Sequence, residues 1–179
     1  MLCFYGVARA GEVLQCIRQD LLLPADMMFE SDCAFLLLRQ SKTMYRQLAR
    51  VQHLKISSPH VVRLLAFVYR DAARDEQLFH GTPHVYRQRW NFLLRLLHVP
   101  DALRITPGGL RGGGAVAWYR KGGSVSELMW MMRLKQITTL EAYLQEVSAI
   151  SLLTDLPLVS RQALRAAASL FRHLSASLG

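Results

Sequence analysis

Positive charge is the chemical resource this chain holds in greatest excess. Lysine and arginine occupy 22 positions against 13 acidic ones, a formal charge of +9. Many gather in two stretches: Arg39, Lys42, Arg46, Arg50 and Lys55, then Arg87, Arg89, Arg104, Arg120 and Lys121. Such an excess attracts polyanions over distances set by salt screening, and a cationic face is what contact with a phosphate backbone requires. Nucleic acid is the first partner to consider, with a merely solvated basic surface as the alternative. The glycines from Gly108 to Gly114 invite a phosphate-loop reading, but the lysine and serine or threonine of a nucleotide loop do not follow them. They read instead as a close-packed helix start. The histidines His53, His60, His80, His84, His98 and His173 show no zinc-type pairing. Cys3, Cys16 and Cys33 lack paired-ligand spacing and cannot all pair, which predicts reduced thiols in an intracellular compartment and no metal site. Taken singly, Arg9 and Arg111 read as surface or ion-paired arginines, Arg9 with Glu12 three residues on, and Tyr143 as a tyrosine at the edge of a core.

The elements that must position these groups are mostly helical. Half the residues are hydrophobic, enough for the core of one compact domain. Val13, Leu14 and Ile17 recur at helical spacing from Ala10 to about Gln19, and Leu21-Leu22-Leu23-Pro24 closes that element. The apolar run Ala34 to Arg39 and the segment from Val51 to Ile56, with Gln40-Ser41-Lys42-Thr43 between, predict a β-hairpin. Ser58-Pro59 starts a helix running to about Ala73, with Val61, Val62 and Leu65 on its inner face. Thr82-Pro83 starts another to about His98, with Val85, Leu93, Leu94, Leu96 and Leu97 as inward candidates, and Thr106-Pro107 repeats the signal. Ser124 and Glu127 form a capping box for a helix through Met132, whose Met129, Trp130, Met131 and Met132 are expected to fill core space. Thr138 or Thr139 caps a helix to about Ser148, and Pro157 to Ala176 reads as a terminal helix facing inward through Leu164, Ala167, Ala168, Phe171 and Leu174. The fold class expected is α+β, mostly helical with a small antiparallel sheet near the N-terminus. No run is long and apolar enough for a signal core or a membrane span, so a soluble, unsecreted protein is expected.

Placed in these elements, two segments resemble the catalytic domain of the tyrosine recombinases, the phage-integrase-like enzymes, and especially their eukaryotic mobile-element members. Gly6-Val7-Ala8-Arg9-Ala10-Gly11-Glu12 matches the family's helix start with its first arginine and the glutamate after it. Leu110-Arg111 before the small residues Gly112 to Ala115, then Gly122-Gly123, the capped helix, Thr138-Thr139 and Tyr143, matches the second arginine and the tyrosine in order. Lys42 falls in the predicted hairpin turn, where the resemblance places the catalytic lysine. The resemblance implies DNA strand breakage and rejoining through a 3′-phosphotyrosine, with Arg9 and Arg111 holding the non-bridging oxygens, Tyr143 attacking and Lys42 protonating the departing 5′-oxygen. It calls for no metal or nucleotide cofactor. Double-stranded DNA is the implied partner, together with a homo-oligomer assembled on it, and the nucleus the location in a eukaryote. The segment Arg161 to Leu178 is a candidate for docking a neighbour or for packing on its own domain.

Two positions depart from the family. Gly108 stands where a histidine usually lies three residues before the second arginine, and Leu134 stands where a histidine or tryptophan follows the turn. Loss of a general acid or base costs roughly 100- to 10,000-fold in rate. Glu12, His53, Arg133 and Lys135 are the auxiliary or DNA-binding candidates that remain. The resemblance spans nearly all of residues 1–179 as one catalytic domain and implies that the family's upstream helices and N-terminal DNA-clamping domain are missing. Two other readings stay open: a catalytically impaired DNA-binding remnant, and a helical protein-interaction domain.

Overall fold

The computed structural model describes residues 1–39, 52–144 and 154–177. Within them the chain is mostly helical, with one antiparallel sheet of β1 (Leu21–Leu22), β2 (Ala34–Leu38) and β3 (Gln52–Ile56) in that spatial order. The two halves of the expected hairpin pair from Ala34 opposite Ile56 to Leu38 opposite Gln52. Alternation selects the buried face, with Ala34, Leu36 and Leu38 inward from β2 and Leu54 and Ile56 from β3. The connecting residues, Lys42 among them, lie outside the described residues.

β1 corrects the reading of the leucine run as the closing loop of a helix. Leu21 pairs with Leu36 and Leu22 with Phe35, and the run alternates buried, exposed, buried. The helix expected from Ala10 to Gln19 is one turn, α2 (Ala10–Val13), preceded by α1 (Leu2–Tyr5). What stops it is Asp20. Its Oδ2 accepts the Ile17 N–H at 3.0 Å and its other oxygen pairs with Arg39, drawing the chain into a 3-10 turn over Arg18–Asp20. Arg18 ties that turn down by donating to the carbonyls of Tyr69 and Leu21 at 2.6 and 2.7 Å.

α3 (Pro59–Tyr69) starts at its proline, ends about one turn earlier than expected, and buries Val61, Val62 and Leu65 in the same core as the inner sheet residues. α4 (Pro83–Leu96) is capped as expected, the Thr82 hydroxyl accepting the Val85 N–H at 3.3 Å. Its inward set does not go inside: Leu93 and Leu96 are exposed, Val85, Leu94 and Leu97 half-buried. Periodicity reports an apolar stripe, and only a neighbouring element buries it.

α5 (Gly109–Arg120), α6 (Val125–Met132) and α7 (Ile137–Glu141) surround a second core of Val7, Ala115, Leu128, Met132 and Leu140. Ser124 caps α6 by accepting the Glu127 N–H at 3.1 Å, and Glu127 returns to the serine hydroxyl at 3.0 Å rather than to its backbone. Met132 is in that core and Met129 and Met131 pack against it, but Trp130 is exposed, contrary to expectation. α7 is headed by Gln136, so Thr138 and Thr139 lie inside the helix instead of capping it, and residues 145–153 beyond it are outside the described residues. In α8 (Leu158–Ser177) Phe171 packs on the first core as expected and Leu164 is half-buried, whereas Leu174, Ala167 and Ala168 are exposed. The helix approaches α3 through the small Ser175 instead, whose hydroxyl lies 3.3 Å from His60 Nδ1 while its carbonyl accepts from Arg63. No described helix is long and apolar enough to cross a membrane.

Candidate phosphate-binding site

The two cores meet where α1 lies on α5, and the ionisable groups converge beside that contact. Gly113 and Gly114 let α5 approach the Phe4 backbone so closely that a Cβ on Gly114 would stand 2.0 Å from the Phe4 carbonyl oxygen. The close packing read from the glycine cluster holds for Gly114 and, against the Phe4 ring, Gly113, whereas Gly108, Gly109 and Gly112 leave room for a Cβ. The chain leaves α1 through Val7, buried with φ at 50°. A β-branched residue in that left-handed region is strained. The kink brings Arg9 to the head of α2 and aims Glu12 back beneath it.

Glu12 is buried and fully used. Its Oε2 accepts the Arg9 N–H at 3.0 Å and Arg133 Nη2 at 2.5 Å, and its Oε1 accepts Arg9 Nη1 at 3.1 Å. The spacing of Arg9 and Glu12 made their ion pair legible. Nothing local announces the pairing of Glu12 with Arg133, which lies 121 positions further along the chain.

Arg133 sits just past α6 with φ at 56°, and the bonds around it form a Schellman turn. The Leu134 N–H reaches the Met129 carbonyl at 2.9 Å and the Arg133 N–H the Trp130 carbonyl at 3.0 Å. Glycine is the usual occupant of such a position. The turn also accounts for Leu134: it is the apolar residue after the cap and packs on the second core.

Arg111, in the first turn of α5, is 3% exposed. Its Nη2 donates to the Met132 carbonyl at 2.6 Å, and the Tyr143 ring centre lies 5.7 Å from its Cζ, within cation–π range. Leu140, wholly buried, anchors the short helix that delivers Tyr143. Two guanidiniums, Arg9 and Arg133, therefore share the Glu12 carboxylate, and the third, Arg111, is held by a main-chain carbonyl. Burial, then the charges of Arg9 and Arg133, pull the Arg111 pKa down from 12.5 to about 10, against the opposite influence of Tyr143 and Glu12. Burial also holds Arg133 below its usual range, with Glu12 opposing it. Among the described residues Nε and Nη1 of both Arg111 and Arg133 are buried without a hydrogen-bond partner. Buried donors in that state cost about 1–3 kcal/mol each until an acceptor reaches them. An anion with several oxygens is the ligand that would satisfy both the charge and the donors.

Of the residues singled out in the sequence, Arg9, Glu12, Arg111, Arg133 and Tyr143 come together here. His53 is exposed on β3, Lys135 is exposed between α6 and α7, and Gly108 is an exposed glycine at the head of α5. Lys42 lies outside the described residues. No protein-family model, curated protein or solved structure matches the chain.

Proposed function

We propose that this chain is the catalytic domain of a tyrosine recombinase that breaks and rejoins double-stranded DNA in recombination or integration. The observation that carries the reading is the convergence of Arg9, Arg111 and Tyr143, distant in sequence, around buried guanidinium nitrogens that have no partner among the described residues. The guanidiniums would hold the non-bridging oxygens of a phosphodiester as negative charge builds on them. The Tyr143 oxygen would attack phosphorus, forming the phosphotyrosine bond as the bond to the 5′-oxygen breaks. The tyrosine proton leaves to solvent or a nearby base, and Lys42 returns one to the departing 5′-oxygen. A homo-oligomer on paired DNA sites, in the nucleus of a eukaryotic host, belongs to the same reading.

A second reading, a DNA-binding remnant with impaired chemistry, draws support from Gly108 and Leu134: neither position offers a proton-transfer group, and Leu134 is committed to the core. Incubating the protein with a nicked suicide duplex, followed by a denaturing gel, separates the two. A covalent DNA adduct absent from Tyr143→Phe supports the enzyme. Salt-sensitive binding without an adduct supports the remnant, and the absence of both refutes the DNA reading.

A further inference from the structure

We propose that Arg133 is a third phosphate-binding residue of this site, holding a non-bridging oxygen together with Arg9 and Arg111. The identity of the ligand as a phosphodiester rests on the function proposed above, whereas the anion site itself rests on geometry.

The backbone conformation at Arg133 favours glycine, yet the chain carries its longest cationic side chain there. That side chain does not run into solvent: it is 10% exposed and turns back to Glu12. Only Nη2 is used in that contact, leaving Nε and Nη1 buried without a partner among the described residues, as in Arg111. Were Arg133 present merely to neutralise Glu12, it would be redundant, because Arg9 already pairs with that carboxylate through both its side chain and its backbone.

The charge balance points the same way. Arg9 and Arg111 against Glu12 leave one positive charge, which matches a resting phosphodiester. Adding Arg133 leaves two, which matches the pentacoordinate transition state, whose non-bridging oxygens carry about two negative charges. A site matched to that state accelerates the reaction, and one matched to the ground state only binds. Arg133 thus supplies through charge part of what Gly108 and Leu134 do not supply through proton transfer. The four nitrogens, unpartnered among the described residues, are closed to solvent, so an oxygen reaches them by displacing the atoms that cover them.

The test compares wild type with Arg133→Gly, which suits the backbone and so favours folding, Arg133→Gln and Arg133→Lys. The first readout is the rise in melting temperature on adding inorganic phosphate at constant ionic strength. Phosphate is expected to raise the melting temperature of the wild type, not of the glycine or glutamine variants, and partly that of the lysine variant. The second is Tyr143 adduct formation on the suicide duplex at saturating DNA. Arg133→Gly is expected to slow it roughly 100- to 1,000-fold, with half-saturation changed less than about threefold and with the defect largely gone on a duplex bearing a neutral methylphosphonate at the scissile position.

Absence of a phosphate effect in the wild type, or its persistence in Arg133→Gly, overturns the proposal. An adduct rate untouched by Arg133→Gly overturns it too and leaves the recombinase reading standing. An Arg133-dependent phosphate effect with no Tyr143 adduct in the wild type upholds the anion site and removes the recombinase reading.

Discussion

Gly114→Ala is expected to pull the site apart from a position that carries no chemistry. The added Cβ would lie 2.0 Å from the Phe4 carbonyl oxygen, 2.9 Å from its carbonyl carbon and 3.3 Å from its Cα. Those atoms are backbone, so no rotamer change relieves the overlap, and α1 must move away from α5 by about 1 Å or more. Overpacking a core typically costs about 1–3 kcal/mol, and a clash with main chain belongs at the top of that range. The gain in helix propensity from glycine to alanine, about 1 kcal/mol, offsets part of it. A net loss of about 2 kcal/mol lowers the melting temperature of a domain of this size by about 4–8 °C. The matched control is Gly109→Ala, where nothing lies within 4 Å, φ is not in the left-handed region, and alanine is expected to be neutral or stabilising by up to about 1 kcal/mol. Urea denaturation of the two variants, monitored by circular dichroism, measures the difference. Because α1 leads through Val7 directly to Arg9, the phosphate-induced rise in melting temperature should fall in Gly114→Ala and persist in Gly109→Ala. Equal stabilities for the two variants would refute the close approach of α1 to α5 and, with it, the explanation of how Arg9 is placed.

Arg111→Met should raise stability while abolishing the phosphate effect. With a folded pKa of about 10 against 12.5, charged Arg111 is penalised in the folded state everywhere below pH 10, and the penalty fades only between pH 10 and 12.5. Removing it is worth on the order of 3 kcal/mol, less about 1 kcal/mol for the Met132 carbonyl left without its donor; a less stable variant in urea denaturation would count against this reasoning. Cys16 is the second case of titration tied to burial. Burial first, then the charges of Asp20 and Glu12, push its thiol from 9.0 up to about 12. The stability this thiol contributes is intact below pH 9 and lost as pH rises towards 12. In the native protein at pH 8.5 iodoacetamide should spare Cys16 and modify it after denaturation, as peptide mass spectrometry would show; rapid native labelling would contradict its burial.

What the sequence determined was local. The alternation of Ala34 to Leu38 against Gln52 to Ile56 sufficed for the β2–β3 pair, and the proline and threonine starts sufficed for α3 and α4, because these signals act over a few residues. Arg9 and Glu12 could be paired for the same reason, being one helical turn apart. Tertiary structure decided the rest. Asp20 cut α2 short through contacts with Ile17 and Arg39, and the apolar stripe of α4 was left half in solvent because periodicity cannot say what will cover it. Above all, Arg133 could be singled out in the sequence as an auxiliary or DNA-binding candidate, but its contact with Glu12 could not be read from its own neighbourhood. That contact exists because the Schellman turn aims the guanidinium at Glu12, from the other end of the chain, and burial leaves its Nε and Nη1 without a partner among the described residues.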